Sequence, residues 1–497
     1  MPTLTPSKLY SYLQCPHRVW RDEYGPQEEK DTQENAFVKM LWERGVNHEK
    51  EVVEKIGVYV DMSGGSLEER FQKTLEALRK NTPLLYQGVL RFENDLGIPD
   101  LLMRMPDGKY IPIDIKSGSG VEGVGDDEGE QKPKKYYAVQ LCFYVELLQK
   151  LAIPHTGTGR IIDIHHNVFE YELSKPLGKR DTRTFWEFYE QTKKDVSLLI
   201  HNQYKNTPAM SGVCKLCPWY RSCKKWCEDK KDITTLYYVG RKQRDVLEED
   251  LGIKNVFDVS QLDAQDLIEQ KKKDKHFLGG IGKSSLEKMI TRAHIVTEVK
   301  KPVVYEKIIF PRVSYELFFD IEDDPTQEFV YMHGVYERSP SGERFIHFTA
   351  KEKTSEAQKD AWMRFWKYIE TLPKGDFSVY YYSHHEKTTY RKMQKLYPDS
   401  ISSEYVEAFF ANPYVIDLYA IISSKTDWPL GSYSLKAIAQ YLGFSWRDET
   451  PSGALSIEWF NAYLETKDES FLQRILLYNE DDCKATMIIK DALEKME

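Results

Sequence analysis

Gly97–Gly118 reads GIPDLLMRMPDGKYIPIDIKSG, and the reading of this stretch decides the fold of the first half of the chain. Met105-Pro106-Asp107-Gly108-Lys109 has the residues of a tight turn, and the runs on either side fit strands. After the turn, Ile111, Ile113 and Ile115 alternate with Pro112, Asp114 and Lys116. A period of two places Asp114 and Lys116 on one face and the isoleucines on the other. Folding the chain back about Asp107-Gly108 sets Asp100 opposite the 114–116 region, within one residue of register. Two carboxylates and a lysine then converge. That trio suits phosphodiester hydrolysis, because carboxylates hold Mg²⁺, a hard cation that prefers oxygen ligands. The ion polarises a phosphate and lowers the pKa of water. A surface strand with a salt-bridged Asp and Lys would show the same D-x-K pattern, so the neighbours of the hairpin must decide.

Upstream, an opening helical segment leads to a longer one around Ala36–Ile56, with His48 inside RGVNHEKEVVEKI. Downstream, a Gly/acid loop, Gly118–Gly129, holds Asp126, Asp127 and Glu128 and reads as a solvated loop before a metal loop. A helix follows at Tyr136–Lys150. It carries Gln140 and Tyr144, four apart on one face, and a buried amide needs a partner. Cys15-Pro16, Gly45 with His48, Pro99-Asp100, Asp114-x-Lys116 and Gln140-x-x-x-Tyr144 occur in this order. In series they resemble the motifs of RecB-like nucleases of the PD-(D/E)XK superfamily, nearest to the iron–sulfur type that includes the CRISPR-associated exonucleases and the AddB-type nuclease domain. The resemblance implies a restriction-endonuclease-like fold over residues 1–230. It also implies metal ligation by His48, Asp100 and Asp114, a catalytic Lys116, and Gln140 and Tyr144 shaping the site near the DNA.

The seven cysteines are Cys15, Cys142, Cys214, Cys217, Cys223, Cys227 and Cys483. In a reducing compartment, clustered cysteines read as metal ligands before disulfides. CKLCPWYRSC places Cys214, Cys217 and Cys223 together, with spacing that suits a zinc knuckle or an iron–sulfur cluster. The fourth ligand is either local, Cys227, or remote, Cys15. The resemblance implies Cys15 and a [4Fe–4S] cluster, with zinc as the alternative, tying the ends of the first domain together. Cys142 and Cys483 read as buried small hydrophobes.

In the last block, 311–497, strands and helices alternate, which argues an α/β layer. YELFFDIEDDP opens it. Asp320 and Glu322 share one face of an apolar run, where carboxylates are costly unless paired or bound to metal. Far downstream, Tyr478 and Asp482 lie four apart in or at the start of the last helix. The pattern resembles DnaQ-like 3′–5′ exonucleases of the RNase H-like fold. It implies Asp320, Glu322 and Asp482 around two Mg²⁺ or Mn²⁺ ions, with Tyr478 orienting the attacking water. The mid-domain acid is Glu386, with Asp417 as the fallback, and Asp481 is a substitute for Asp482 that the tyrosine spacing disfavours.

Between these blocks, residues 231–300 are helical by pattern, and 301–310 form an extended linker. Gly279-Gly280-Ile281-Gly282-Lys283 before a helix resembles a helix-hairpin-helix module, which grips a nucleic-acid backbone through N–H groups. Gly280, Gly282 and Lys283 are its candidate DNA contacts, and Lys271, Lys272, Lys273 and Lys275 add positive charge. A glycine turn packing two helices beside a solvated lysine run would read alike.

The whole chain has 497 residues, 41% hydrophobic and 30% charged, with a formal net charge of −9. This excludes a wholly disordered chain, a disulfide-stapled miniprotein and a polybasic coat. No apolar run approaches the roughly 20 residues of a membrane span, and MPTLTPSKLYSYLQCPHRVW lacks the apolar core of a signal peptide, so a cytoplasmic protein is expected. The expectation is an α/β protein of three parts: a restriction-endonuclease-like domain, a small helix-hairpin-helix-like domain and an RNase H-like domain. That order resembles a prokaryotic family of RecB-like nucleases. It implies a metal-dependent DNA nuclease, exonucleolytic on single-stranded ends, with RNA left open. The alternative is a nucleic-acid-binding helicase partner in which one site or neither is catalytic.

Overall fold

A computed structural model of the protein describes residues 2–32, 36–122, 132–179, 181–204 and 206–496. Asp126, Asp127 and Glu128 of the Gly/acid loop lie outside them. The chain divides into two compact units, Met1–Trp226 and Cys227–Glu497. Among the described residues no helix is long and apolar enough to cross a membrane.

The first unit is built on a six-stranded sheet in the order Val60–Asp61, Leu84–Tyr86, Leu101–Arg104, Tyr110–Ile115, Thr158–Ile162, Val168–Glu172. The hairpin forms as its turn residues dictate. Leu101 lies opposite Ile113, and Gly108 takes a φ of +88°, a region open to glycine without a steric cost. Tyr110–Ile115 pairs on its other side with the parallel strand Thr158–Ile162 and is buried throughout. Alternation suggests a half-solvated strand, but parallel pairing puts this one in the middle of the sheet with helices on both faces. Ile111, Ile113 and Ile115 pack with Val52 and Val53 of the Ala36–Ile56 helix. On the other face Tyr110 meets the core that includes the Lys135–Lys150 helix. That helix is buried continuously from Tyr137 to Val145, as expected of one apolar all round.

The second unit holds a five-stranded sheet in the order Gly342–Thr349, Phe329–Ser339, Tyr315–Asp324, Phe377–Tyr381, Val415–Asp417. The first three are antiparallel and the last two run parallel to Tyr315–Asp324. Along this central strand Leu317, Phe319 and Ile321 pack with Trp362, Phe365 and Trp366 of the Ser355–Glu370 helix. Phe318 packs the other way, with Ala485, Ile489 and Leu493 of the final helix, Glu469–Lys495. Period two therefore carries Asp320 and Glu322 to the face that the final helix covers.

The helical segment after residue 231 lies in this same unit. It keeps a core of its own around Leu247, Val259, Leu286 and Met289. Buried contacts join it to the sheet portion, among them Arg292 Nε donating to Asp427 Oδ1 at 2.7 Å and the Tyr237 ring stacking on Tyr433 at 3.7 Å. Within the linker, Val303–Val304 pairs antiparallel with Thr426–Asp427.

Candidate metal centres

Asp100 directly precedes the strand Leu101–Arg104, and the register carries it opposite Asp114. Its Oδ2 accepts the Ile115 N–H at 2.7 Å. Asp114 is 2% exposed and pairs with Lys116 Nζ at 2.9 Å. Burial, then the charge of Asp114, lifts the Asp100 carboxyl well above its usual range. Burial works against the charged form of Lys116, yet Asp114 and Asp100 together hold its pKa above that of an ordinary lysine. The Lys116 ammonium also lies 5.5 Å from the centre of the Tyr137 ring.

Tyr144 reaches the same place. Its hydroxyl donates to the Ile98 carbonyl at 3.4 Å, and burial beside Asp114 and Asp100 pushes its pKa far up. One helical turn away, the Oε1 of Gln140 is buried and accepts no hydrogen bond among the described residues.

His48 has neighbours of its own. Its ligand atom lies within 4.8 Å of those of Glu51 and His166, and no such group joins it to Asp100 and Asp114 among the described residues. The neighbouring carboxylate faces the centre. Gln87 Nε2 donates to Glu49 Oε1 at 2.6 Å and to Asp100 Oδ1 at 3.2 Å, bridging the two acids. Tyr86 donates to the same Glu49 oxygen at 2.9 Å. Successive residues of a helix diverge by about 100°, so His48 and Glu49 have different nearest neighbours. Glu49 and Gln87 are missing from the sequence-derived set. The one available signal is that a carboxylate directly follows the histidine.

In the second unit, Asp320, Glu322 and Asp482 bring their carboxylate oxygens within 4.8 Å of one another. Asn479 Nδ2 spans two of them, at 2.8 Å from Asp320 Oδ2 and 3.2 Å from Glu322 Oε1. Trp446 Nε1 donates to Asp482 Oδ1 at 2.7 Å. Burial first, and the neighbouring carboxylates second, raise Asp320 well above the usual range and Glu322 to about 8. Burial raises Asp482 to about 6 against the opposing charge of Lys436. Three acids so placed repel one another, and a divalent cation relieves that repulsion.

The flanking residues sort themselves by direction. Tyr478 lies beside Asp482 and receives the Lys436 ammonium at 3.2 Å. Asp481 is turned away, accepting the Arg447 backbone N–H and its Nε, each at 2.8 Å. Asp417 accepts the N–H groups of Ser383 at 3.0 Å and Ala420 at 3.1 Å, so it caps the Leu418–Lys425 helix. Glu386 is 3% exposed, and its Oε2 has no hydrogen-bond partner among the described residues. Burial, then Asp417, Asp323 and Asp482, raise its pKa.

Two comparisons bear on these geometries. Residues 17–224 match the family model of the PD-(D/E)XK nuclease superfamily. Residues 317–494 match that of the RNase_H superfamily. No curated protein and no solved structure matches the chain. The protein is thus mixed α/β, with a restriction-endonuclease-like domain and an RNase H-like domain, each matched by one superfamily model.

The remaining expected residues divide between the two units. Cys15, Cys214, Cys217 and Cys223 line one cavity of about 170 Å³ in the PD-(D/E)XK unit, whereas Cys227 belongs to the second unit and is fully buried. Burial pushes the Cys223 thiol up to about 12 against the charge of Arg21, and raises Cys217 against that of Arg18. Among the described residues no three of these sulfurs lie within 4.8 Å of one another. In the second unit Gly280 takes a φ of +80°, and Gly282 is the N-cap of the Lys283–His294 helix without a side-chain cap. The lysine run is partly committed: Lys271 Nζ donates to the Phe277 and Leu278 carbonyls at 2.9 and 2.6 Å, and Lys272 pairs with Glu269.

Proposed function

We propose that the protein is a divalent-metal-dependent DNA exonuclease with two hydrolytic centres, acting on single-stranded ends. The observation that carries this reading is the convergence of Asp320, Glu322 and Asp482 from a central strand and a final helix, in a domain matched to a nuclease superfamily. Mg²⁺ or Mn²⁺ held there supplies Lewis acidity at the scissile phosphate. Asn479 fixes the two strand carboxylates, and Trp446 fixes the third. Tyr478, tethered by Lys436, orients the incoming water. Glu386 is the fourth acid, because Asp417 spends its oxygen on backbone N–H groups.

In the PD-(D/E)XK unit, Asp100, Asp114 and Glu49 form the corresponding acid set and Lys116 stands at its edge. Lys116, paired with Asp114, offsets phosphate charge and positions the attacking water. The free Oε1 of Gln140 and the hydroxyl of Tyr144 border the strand's path.

The cysteine cavity fits an iron–sulfur cluster better than zinc. Tetrahedral zinc with Zn–S of about 2.3 Å would draw its sulfurs to roughly 3.8 Å apart, and the four cysteines surround a wider space flanked by Arg18 and Arg21. Beside the start of the Lys283–His294 helix, a cavity of about 430 Å³ lined by Ser284, Ser285, Lys288 and Tyr238 offers phosphate donors and a stacking ring to a nucleic-acid strand.

The test is digestion of single-stranded DNA labelled at the 5′ or the 3′ end, with Mg²⁺ or Mn²⁺, by wild type, Lys116→Ala and Asp320→Ala. Stepwise ladders from one end, with each variant losing one activity, are expected. Internal cuts with no dependence on ends would overturn the exonuclease reading.

A further inference from the structure

The final helix, Glu469–Lys495, sets Tyr478 and Asp482 one turn apart, and Asp482 meets Asp320 and Glu322. Tyr478 is 5% exposed. Trp459 meets its ring nearly at right angles, with 6.4 Å between ring centres. Packing therefore fixes the ring, and what is left to set is the direction of the hydroxyl.

That hydroxyl has two partners. It donates to the Asp482 carboxylate, and its oxygen accepts the Lys436 ammonium at 3.2 Å. A phenolic oxygen that keeps its proton and has accepted once has room for one further donor. Lys436 is itself held in place. It is the second residue of the helix Leu435–Tyr441, whose N-cap Ser434 accepts the Ala437 N–H. Its Nζ also donates to the Pro451 carbonyl at 2.6 Å. The ammonium lies 4.8 Å from the centre of the Tyr478 ring and 5.8 Å from that of Trp446, the residue whose indole N–H donates to Asp482. One ammonium thus joins the helix Leu435–Tyr441, the stretch 443–452 and the final helix at the edge of the carboxylate cluster.

We propose that Lys436 is a positioning residue for hydrolysis at this centre: by occupying one acceptor direction of Tyr478 it leaves the other to the attacking water, which donates one O–H there and turns a lone pair toward the phosphate. No bond of Tyr478 or Lys436 changes in the step. Without Lys436 the hydroxyl offers water two directions in place of one, and a misaimed nucleophile loses rate even when it is bound. The Lys436 charge also stands close to Asp482, where it opposes a divalent cation. Removing it therefore favours ion binding while it harms orientation, whereas loss of a residue that only held the fold would harm both. This inference rests on the nuclease reading of the centre.

The test uses the full-length protein carrying Asp114→Asn, which silences the first centre, with end-labelled single-stranded DNA and Mn²⁺. Lys436→Met, which keeps the aliphatic stem between the two rings, should lower kcat by about ten-fold or more with KM for DNA unchanged. Mn²⁺ affinity, read by electron paramagnetic resonance, should be equal or tighter. Lys436→Gln, polar but one bond too short to reach Tyr478, should behave alike and serves where the Met variant does not fold. Added to Tyr478→Phe, either substitution should cost no further rate, because the lysine acts through that hydroxyl. Losses that multiply, a kcat equal to that of the parent, or weakened Mn²⁺ binding would overturn the proposal. A parent that cuts nothing, or cuts as well after Asp320→Asn, would remove the nuclease reading of the centre and the proposal with it.

Discussion

Gly334 lies opposite Asp320 in the antiparallel ladder, and a Cβ on it would stand 1.6 Å from the Oδ1 of Asn479. Only glycine leaves room for the amide that bridges Asp320 and Glu322. Gly334→Ala should therefore cost about 1–3 kcal/mol of stability through overpacking and remove activity at this centre, measured by thermal melting and by digestion of labelled DNA. Neither Gly334 nor Asn479 was legible as a site residue, because one lies on the neighbouring strand and the other beside a tyrosine that already carried the motif.

The raised carboxylates of the same centre give a pH dependence. Glu322 and Asp482 titrate near 8 and 6 in the fold against 4.5 and 3.8 ordinarily, so the folded form binds their protons more tightly than the unfolded one. Their favourable contribution is complete below about pH 4 and is lost as pH rises through 6 and then 8. Metal-free protein should melt lower at pH 8.5 than at pH 6, and the increase in Tm from Mn²⁺ should be larger at the higher pH. Asp320→Asn should flatten both trends; an increment independent of pH would contradict the assignment.

At the level of elements, periodicity made much of the fold readable. Helices were legible around Ala36–Ile56 and at Tyr136–Lys150, and the turn chemistry at 105–109 set the hairpin register that aligns Asp100 with Asp114. Direction around a helix was harder to read. His48 and Glu49 are neighbours in sequence, and only the packing of Val52 and Val53 against the isoleucine face reveals that Glu49 reaches Asp100 through the Gln87 amide. Lys271 looked like free positive charge, yet it closes the turn before the glycine run. The cysteine cavity is an element-scale device as well. Cys15 separates the first two helices, Pro6–Gln14 and Pro16–Tyr24, while the other three cysteines of the cavity come from residues 214–223, so the proposed cluster would close a loop of nearly the whole unit. Anaerobically purified protein should be brown with about four irons per chain, and Cys15→Ala should lose the iron and destabilise this unit. Colourless, zinc-loaded protein would overturn the cluster assignment.

Across the whole molecule, the same chemical arrangement occurs in both units: carboxylates buried beside a central strand, with a helix supplying the last polar groups. A net charge of −9 is compatible with nucleic acid because contact depends on local groups, not on the sum. Both superfamily matches fall on the segments that hold these acids. The proposal of two hydrolytic centres predicts that disabling either leaves a residual activity, and disabling both leaves none.

The most direct measurement is a time course on end-labelled single-stranded DNA by wild type, Lys116→Ala, Asp320→Ala and the double variant, each with Mn²⁺ and with EDTA. Stepwise loss of activity to background in the double variant, and complete inhibition of wild type by EDTA, is the predicted result. Cleavage by the double variant at the wild-type rate, or cleavage that survives EDTA, would contradict hydrolysis at these carboxylates.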